Sequence, residues 1–212
     1  MSLDLQVGVS LRPLNTFGVD VETMMMAQID AIDDLPELFT AIDEIGLAWM
    51  PLGEGSNVLF VDDYDGIVVR AHLHGIDWQG DNDGVARVRV GAAENWHALV
   101  EWTLDNGMHG LENLGLIPGS VGAAPVQNIG AYGVELERYI AVVEAYDTRE
   151  RKLLRLAPGE CGFAYRDSRF KREHGRWLVA AVEFDLPRQA STVTAYSGVG
   201  GMPMTAAIAV MM

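Results

Sequence analysis

The 212-residue sequence has little cysteine, little lysine and no long apolar run. Its one cysteine, Cys161, cannot form an internal disulfide, which excludes a disulfide-stapled secreted fold and suits a reducing cytoplasm. A small core residue is its expected role, ahead of a reactive thiol. Only two lysines occur, Lys152 and Lys171, and the net charge is −15. Such a surface repels polyanions, so neither nucleic acid nor anionic membrane is an expected partner. No stretch approaches the roughly 20 apolar residues that a membrane-spanning helix needs, and the apolar end "GGMPMTAAIAVMM" is short and interrupted. The N-terminus carries Asp4 and lacks the basic-then-apolar pattern of a signal peptide, so a cytoplasmic location is expected.

What is present is a globular composition, 49% hydrophobic, long enough for one large or two small cores. "VETMMMAQ" (21–28) reads as a strand and "DDLPELFTAIDEIG" (33–46) as a helix. Asp33 or Asp34 is suited to cap that helix, Pro36 to its first turn and Gly46 to its stop; Leu35, Leu38, Phe39, Ile42 and Ile45 share one face. "LAWMPL" (47–52) and "GIVVRA" (66–71) complete an α/β layer. A second block begins near His72. "VARVRVG" (85–91) alternates with period two, "ENWHALVEWTLDNG" (94–107) reads as a helix stopped by Asn106-Gly107, and 140–147 with 151–157 reads as a hairpin. "RWLVAAVEFDLP" (176–187) is a last strand.

Two segments break this regularity. "LGEGSNVLF" (52–60) places small residues directly before an apolar run, and "GLENLGLIPGSVGAAPVQNIGAYGVEL" (110–136) is long, glycine-rich and aperiodic. A connection that long inside a compact domain is usually functional. Small residues permit close approach of a ligand to backbone, and successive N–H groups can form an anion site. "GEGSN" is neither a Walker loop nor G-x-G-x-x-G, and alone it fits a tight turn equally well. Together, the two segments point to a long ligand between two subdomains, of the length of a dinucleotide, with Asn57, Gln127 and Asn128 available to ring or ribose atoms.

Four motifs, "NTFG" (15–18), "LGEGSNVLF", the 110–136 segment and "FAYRDSRFK" (163–171), resemble in order and spacing the UDP-N-acetylenolpyruvoylglucosamine reductase family, from about residue 11 to about residue 188. The resemblance implies an α+β fold of the vanillyl-alcohol-oxidase type, with FAD between subdomains at 1–72 and 73–189. It implies reduction of a UDP-sugar enolpyruvyl ether for bacterial peptidoglycan, with NADPH as electron donor. By this resemblance Gly53, Gly55, Ser56 and Asn57 contact the pyrophosphate side of FAD. Ile117, Pro118, Gly119, Gly122, Ala123 and Gly130 line the rest of the cofactor. Arg166 is the matching catalytic cation, able to grip a carboxylate and stabilise enolate charge beside it; a surface arginine paired with Asp167 is its plainer reading. Tyr132 matches a substrate-side tyrosine. No metal site is expected, since His72 and His74 lack a third ligand. Asp62–Asp65 reads as a solvated turn, and Glu112 and Asn113 either reach the flavin or order their loop. After "FDLPRQ" the resemblance dissolves. The family's third domain, its serine acid and its late glutamate are not found, and Ser191 and Ser197 do not sit in the expected motif, so 190–212 is expected to be a divergent tail and a non-catalytic FAD-binding fragment stands as the alternative function.

Overall fold

The computed structural model describes residues 5–190. The tail expected over 190–212, with Ser191 and Ser197, lies from residue 191 on outside the described residues. Strands β1 (Leu5–Ser10), β2 (Glu22–Ile29), β3 (Trp49–Pro51) and β4 (Tyr64–Ala71) form one sheet in the order β1-β2-β4-β3. β4 runs parallel to both β2 and β3, and β1 pairs antiparallel with β2. Helix α1 (Leu35–Ile45) makes the crossover. Its stripe of Leu35, Leu38, Phe39 and Ile42 packs on Ala27, Ile29, Ile67 and Val69, the apolar period that 3.6 residues per turn demands. Pro36 sits in the first turn and Gly46, at φ +74°, ends the helix.

Two expectations for α1 are corrected. No Asp33 or Asp34 side chain caps it, because a 3-10 turn (Ile32–Asp34) runs directly into the helix and Asp34 already has helical backbone (φ −84°, ψ −12°); a capping side chain needs an extended residue. Ile45, read as part of the buried face, is exposed at the last turn.

The second sheet is antiparallel throughout, in the order β10-β9-β11-β6-β5. Its strands are β5 (Ile76–Asn82), β6 (Val85–Gly91), β9 (Ile140–Asp147), β10 (Lys152–Leu156) and β11 (Trp177–Pro187); a two-stranded ribbon, β7 (Gly130–Ala131) with β8 (Val134–Glu135), stands apart. Helix α2 (Trp96–Asp105), capped by the Asn95 side chain on the Ala98 amide, covers one face. There Trp96, Leu99 and Val100 meet Val88, Val90, Val182 and Phe184. The alternation in β6 is clean: Ala86, Val88 and Val90 are buried, while Arg87 and Arg89 reach Asp185 and Glu144 on the other face.

That other face is not left to solvent throughout. Tyr146, Leu178 and Ala180 join the α1 core, and the rings of Phe39 and Tyr146 stack at 5.2 Å. At the end of β9, buried Asp147 takes Arg176 Nη2 at 2.7 Å and the amides of Arg149 and Glu150. Burial pushes this carboxyl upward, but the guanidinium and the two amides outweigh it and hold it below the usual carboxylate range.

Candidate functional site

The two sheets leave between them a cleft of about 390 Å³. Residues 50–58 and the β4 residues Val69 and Ala71 form one wall, 119–127 a second, and 170–179 a third. The first two are strapped directly: Ser56 Oγ donates to the Pro118 carbonyl at 3.1 Å and Asn57 Nδ2 to Gln127 Oε1 at 3.1 Å. Asn95, while capping α2, also donates to Glu54 Oε1 at 2.8 Å. The 119–122 backbone follows the start of α2, with Trp96 N on the Gly119 carbonyl and Gly122 N on that of Ala92, both at 2.9 Å.

What presses on the glycines is mostly the protein itself. A Cβ at Gly55 (φ +66°) would lie 2.0 Å from the Leu14 carbonyl oxygen and 2.8 Å from Asn15 Cα. Leu14 and Asn15, where the "NTFG" segment begins, occupy that space; from sequence it was expected to hold phosphate. A Cβ at Gly53 would meet Ser120 Oγ at 2.6 Å, and one at Gly122 would meet Ala92 Cβ at 2.6 Å. Small residues therefore let the walls approach one another. Among the described residues, none of the backbone N–H groups of 53–57 donates to a protein acceptor. Gly53, Gly55, Ser56, Asn57, Gly119, Gly122 and Ala123 all line the cleft, whereas Ile117, Pro118 and Gly130 lie outside its lining.

Arg166 and Tyr132 stand on two small turns. Ala164 and Asp167 exchange both backbone hydrogen bonds (3.0 and 3.1 Å), and Arg166 is the third residue of that turn with φ +54°, a position that ordinarily selects glycine or asparagine. Tyr132 (φ +50°) and Gly133 (φ +81°) join β7 to β8, the positive-φ pair of a type I′ hairpin that favours Asn-Gly. Arg166 Nη2 donates to the Gly130 carbonyl at 2.6 Å and so links the turns. Asp167 pairs with Arg172, which removes the plainer reading of Arg166 as its partner. Ser168 Oγ on the Val126 carbonyl (2.5 Å) and Asn128 Nδ2 on that of Ala164 (3.2 Å) fix the two segments to each other.

Other candidates resolve plainly. Glu112 accepts from the Gly110 amide and contacts His109 Nδ1, and Asn113 donates to the Tyr132 carbonyl, so both order the loop. His72 and His74 each take a carboxylate partner, Asp30 and Glu94. Cys161 is fully buried, and burial pushes its thiol up to about 12, which makes it an inert core residue. Sequence reasoning missed Lys171 and His174 on the third wall. Lys171 belongs to the quoted "FAYRDSRFK" motif, a signal that was available but unused.

The FAD binding domain family matches residues 25–153, more than half of the chain. The chain belongs to this family. A UDP-N-acetylenolpyruvoylglucosamine reductase of Xylella fastidiosa (strain M12) is 45% identical over 195 residues, covering 92% of this chain and 56% of the relative. The enzyme of the same name from Pseudomonas fluorescens is 44% identical, with 89% and 56% covered. The chain thus spans about half the length of the curated relatives it matches. Among solved structures, the UDP-N-acetylenolpyruvylglucosamine reductase of Thermus caldophilus superposes with a TM-score of 0.67 at 26% identity, over 90% of this chain and 64% of that one. A solvent-stable cholesterol oxidase does so at 0.61 and 14% identity, over 88% and 38%, a likeness of fold alone. The α+β flavoprotein fold expected from the motifs is borne out.

The residues present fit the family's cofactor. The uncommitted amides of 53–57 suit an anionic diphosphate, and a helix-free, small-residue wall at 119–123 admits a flat ring close to backbone. Among the described residues no helix is long and apolar enough to cross a membrane.

Proposed function

We propose that this chain is a cytoplasmic FAD-dependent reductase of UDP-N-acetylenolpyruvoylglucosamine, forming UDP-N-acetylmuramate for peptidoglycan with NADPH as electron donor. The observation that carries the reading is the pair of strapped small-residue walls beside a left-handed arginine, on a chain about 45% identical to reductases of that name. Gly53, Gly55, Ser56 and Asn57 hold the diphosphate, and Gly119, Gly122 and Ala123 border the remainder; Ile117, Pro118 and Gly130 support that wall from behind. FAD held there would, once reduced by NADPH, supply the hydride that reduces the enol ether. Arg166 holds the substrate carboxylate bidentately and stabilises the enolate charge that develops next to it. Its backbone strain is of the kind found where a side chain must be aimed. Tyr132, on the adjoining turn, orders the substrate side. The division into 1–72 and 73–189 belongs to the same proposal, supported by each sheet being drawn wholly from one side of that boundary.

The span of about half of the relatives' length supports a second reading, a flavin-binding unit without turnover. One preparation separates them. Titration with FAD, followed by quenching of flavin fluorescence, reads the cofactor site; NADPH oxidation with and without the sugar nucleotide reads the reaction. Oxidation that rises only when the sugar nucleotide is present supports the reductase. Tight FAD with no such rise favours the second reading, and no FAD binding rejects both.

A further inference from the structure

Lys171 is one of two lysines in a chain of net charge −15, and it stands on the cleft wall. Its position is closely set. Helix α3 (Arg169–Arg172) is capped by Ser168, whose hydroxyl accepts from the Lys171 amide at 3.4 Å and is itself anchored on the Val126 carbonyl. One residue before it, Phe170 is buried edge-on against Trp177. From this fixed base the ammonium turns back five residues and donates to the Arg166 carbonyl at 2.9 Å.

Arg166 needs such help. An L-residue with a branched-off Cβ at φ +54° is held against a preference of about 1–2 kcal/mol per residue. The turn is closed by the Ala164–Asp167 backbone pair and tied down through Asn128 and Arg172. On Arg166 itself two contacts oppose relaxation, the guanidinium on the Gly130 carbonyl at one end and the Lys171 ammonium on the Arg166 carbonyl at the other. The first is made by the group that the proposed chemistry needs for a substrate carboxylate. The second is the one that survives when the guanidinium turns to a ligand.

We infer that Lys171 is a positioning residue: it clamps the Ala164–Asp167 turn so that Arg166 keeps its left-handed backbone, and it ties that turn to the cleft wall. This rests on the assignment of Arg166 above, but the clamp is measurable without cofactor or substrate. Amide hydrogen exchange is read at Ala164, Asp167 and Arg169, with β6 as control, in the wild-type chain, Lys171→Met and Lys171→Arg. Lys171→Met should speed exchange at Ala164 and Asp167 by about threefold to tenfold, the loss expected of one hydrogen bond. The Arg166 Nε–H resonance should shift, and β6 should not change. Lys171→Arg, which keeps a cationic donor, should restore both signals to within about twofold. Unchanged exchange in Lys171→Met, or a rise that is equal in β6, overturns the clamp, as does a Lys171→Arg chain that behaves like Lys171→Met. FAD titration of the same wild-type sample tests the functional reading separately: absent binding sinks that reading and leaves the exchange result standing.

Discussion

The 52–57 loop and the 164–167 turn make opposite use of the left-handed region. At Gly55 the positive φ is occupied by the residue that fits it, and even a methyl group would strike the Leu14 carbonyl. At Arg166 the same backbone carries one of the largest side chains, where a glycine would be easier. One site has been stripped so that backbone can pack and its amides stay available. The other has kept a guanidinium at a conformational cost. The contrast separates residues selected for shape, on the cleft wall, from a residue selected for chemistry on a turn outside the cleft lining, joined to the wall through Lys171.

The comparison breaks most visibly at Gly55→Val. Combined backbone strain and overpacking should cost about 3–6 kcal/mol, so urea unfolding should move to much lower midpoint and FAD should be lost with the loop. A variant as stable as the parent would place the Leu14 contact in error. Next comes Arg166→Gly, which removes the side chain and relieves the turn. Stability should stay within about 1 kcal/mol, while affinity for the enolpyruvyl sugar nucleotide, followed through the flavin absorbance, falls about tenfold to a hundredfold, as for a lost charged hydrogen bond. Equal loss of stability and affinity would erase the distinction drawn between the two sites.

Smaller effects sharpen the picture. Asn57→Ala severs the exposed strap to Gln127 but keeps the backbone amide offered to the diphosphate, and should weaken FAD by no more than about 0.5–1.5 kcal/mol; a larger loss would mean that the Asn57 side chain, and not only its amide, touches the cofactor. Last comes the scaffold term at Asp147, whose folded carboxyl lies below its unfolded value, so that its effect is read only on the acid side. A depressed acid contributes stability that is present above the unfolded range, near pH 4, and is lost as pH falls through the folded value. Asp147→Asn should flatten the acid limb of the stability curve, measured by urea titration from pH 7 down to pH 3.

Much of this was readable in the letters. β6 was expected at 85–91 and runs Val85–Gly91, because three buried and two charged residues alternate without interruption. α1 was bracketed by Pro36 and Gly46, whose backbone demands are local. β1 and β5 were missed for a shared reason: both are edge strands, and "IDWQGDN" has only two apolar side chains, so a neighbour's ladder rather than an apolar face holds it. The cleft was legible as two small-residue segments, yet the cause at Gly55 was not. A ligand and a distant backbone leave the same mark on one sequence, and only the fold brings Leu14 to residue 55. Lys171 was not read as a cleft residue because the four-residue helix Arg169–Arg172 carries too little periodicity to say which side faces the cleft, and His174 because it follows that helix in an aperiodic turn.

The stacked rings of Phe39 and Tyr146 have a mechanical meaning. They stitch the helix of the first sheet to a strand of the second, with Leu178 and Ala180 filling the seam. A chain cut after residue 72 would strip α1 of Leu73, Tyr146, Leu178 and Ala180 from its hydrophobic bed. The walls of the cleft are therefore joined through a shared core, and a single unfolding transition is the expected outcome for both, read by calorimetry.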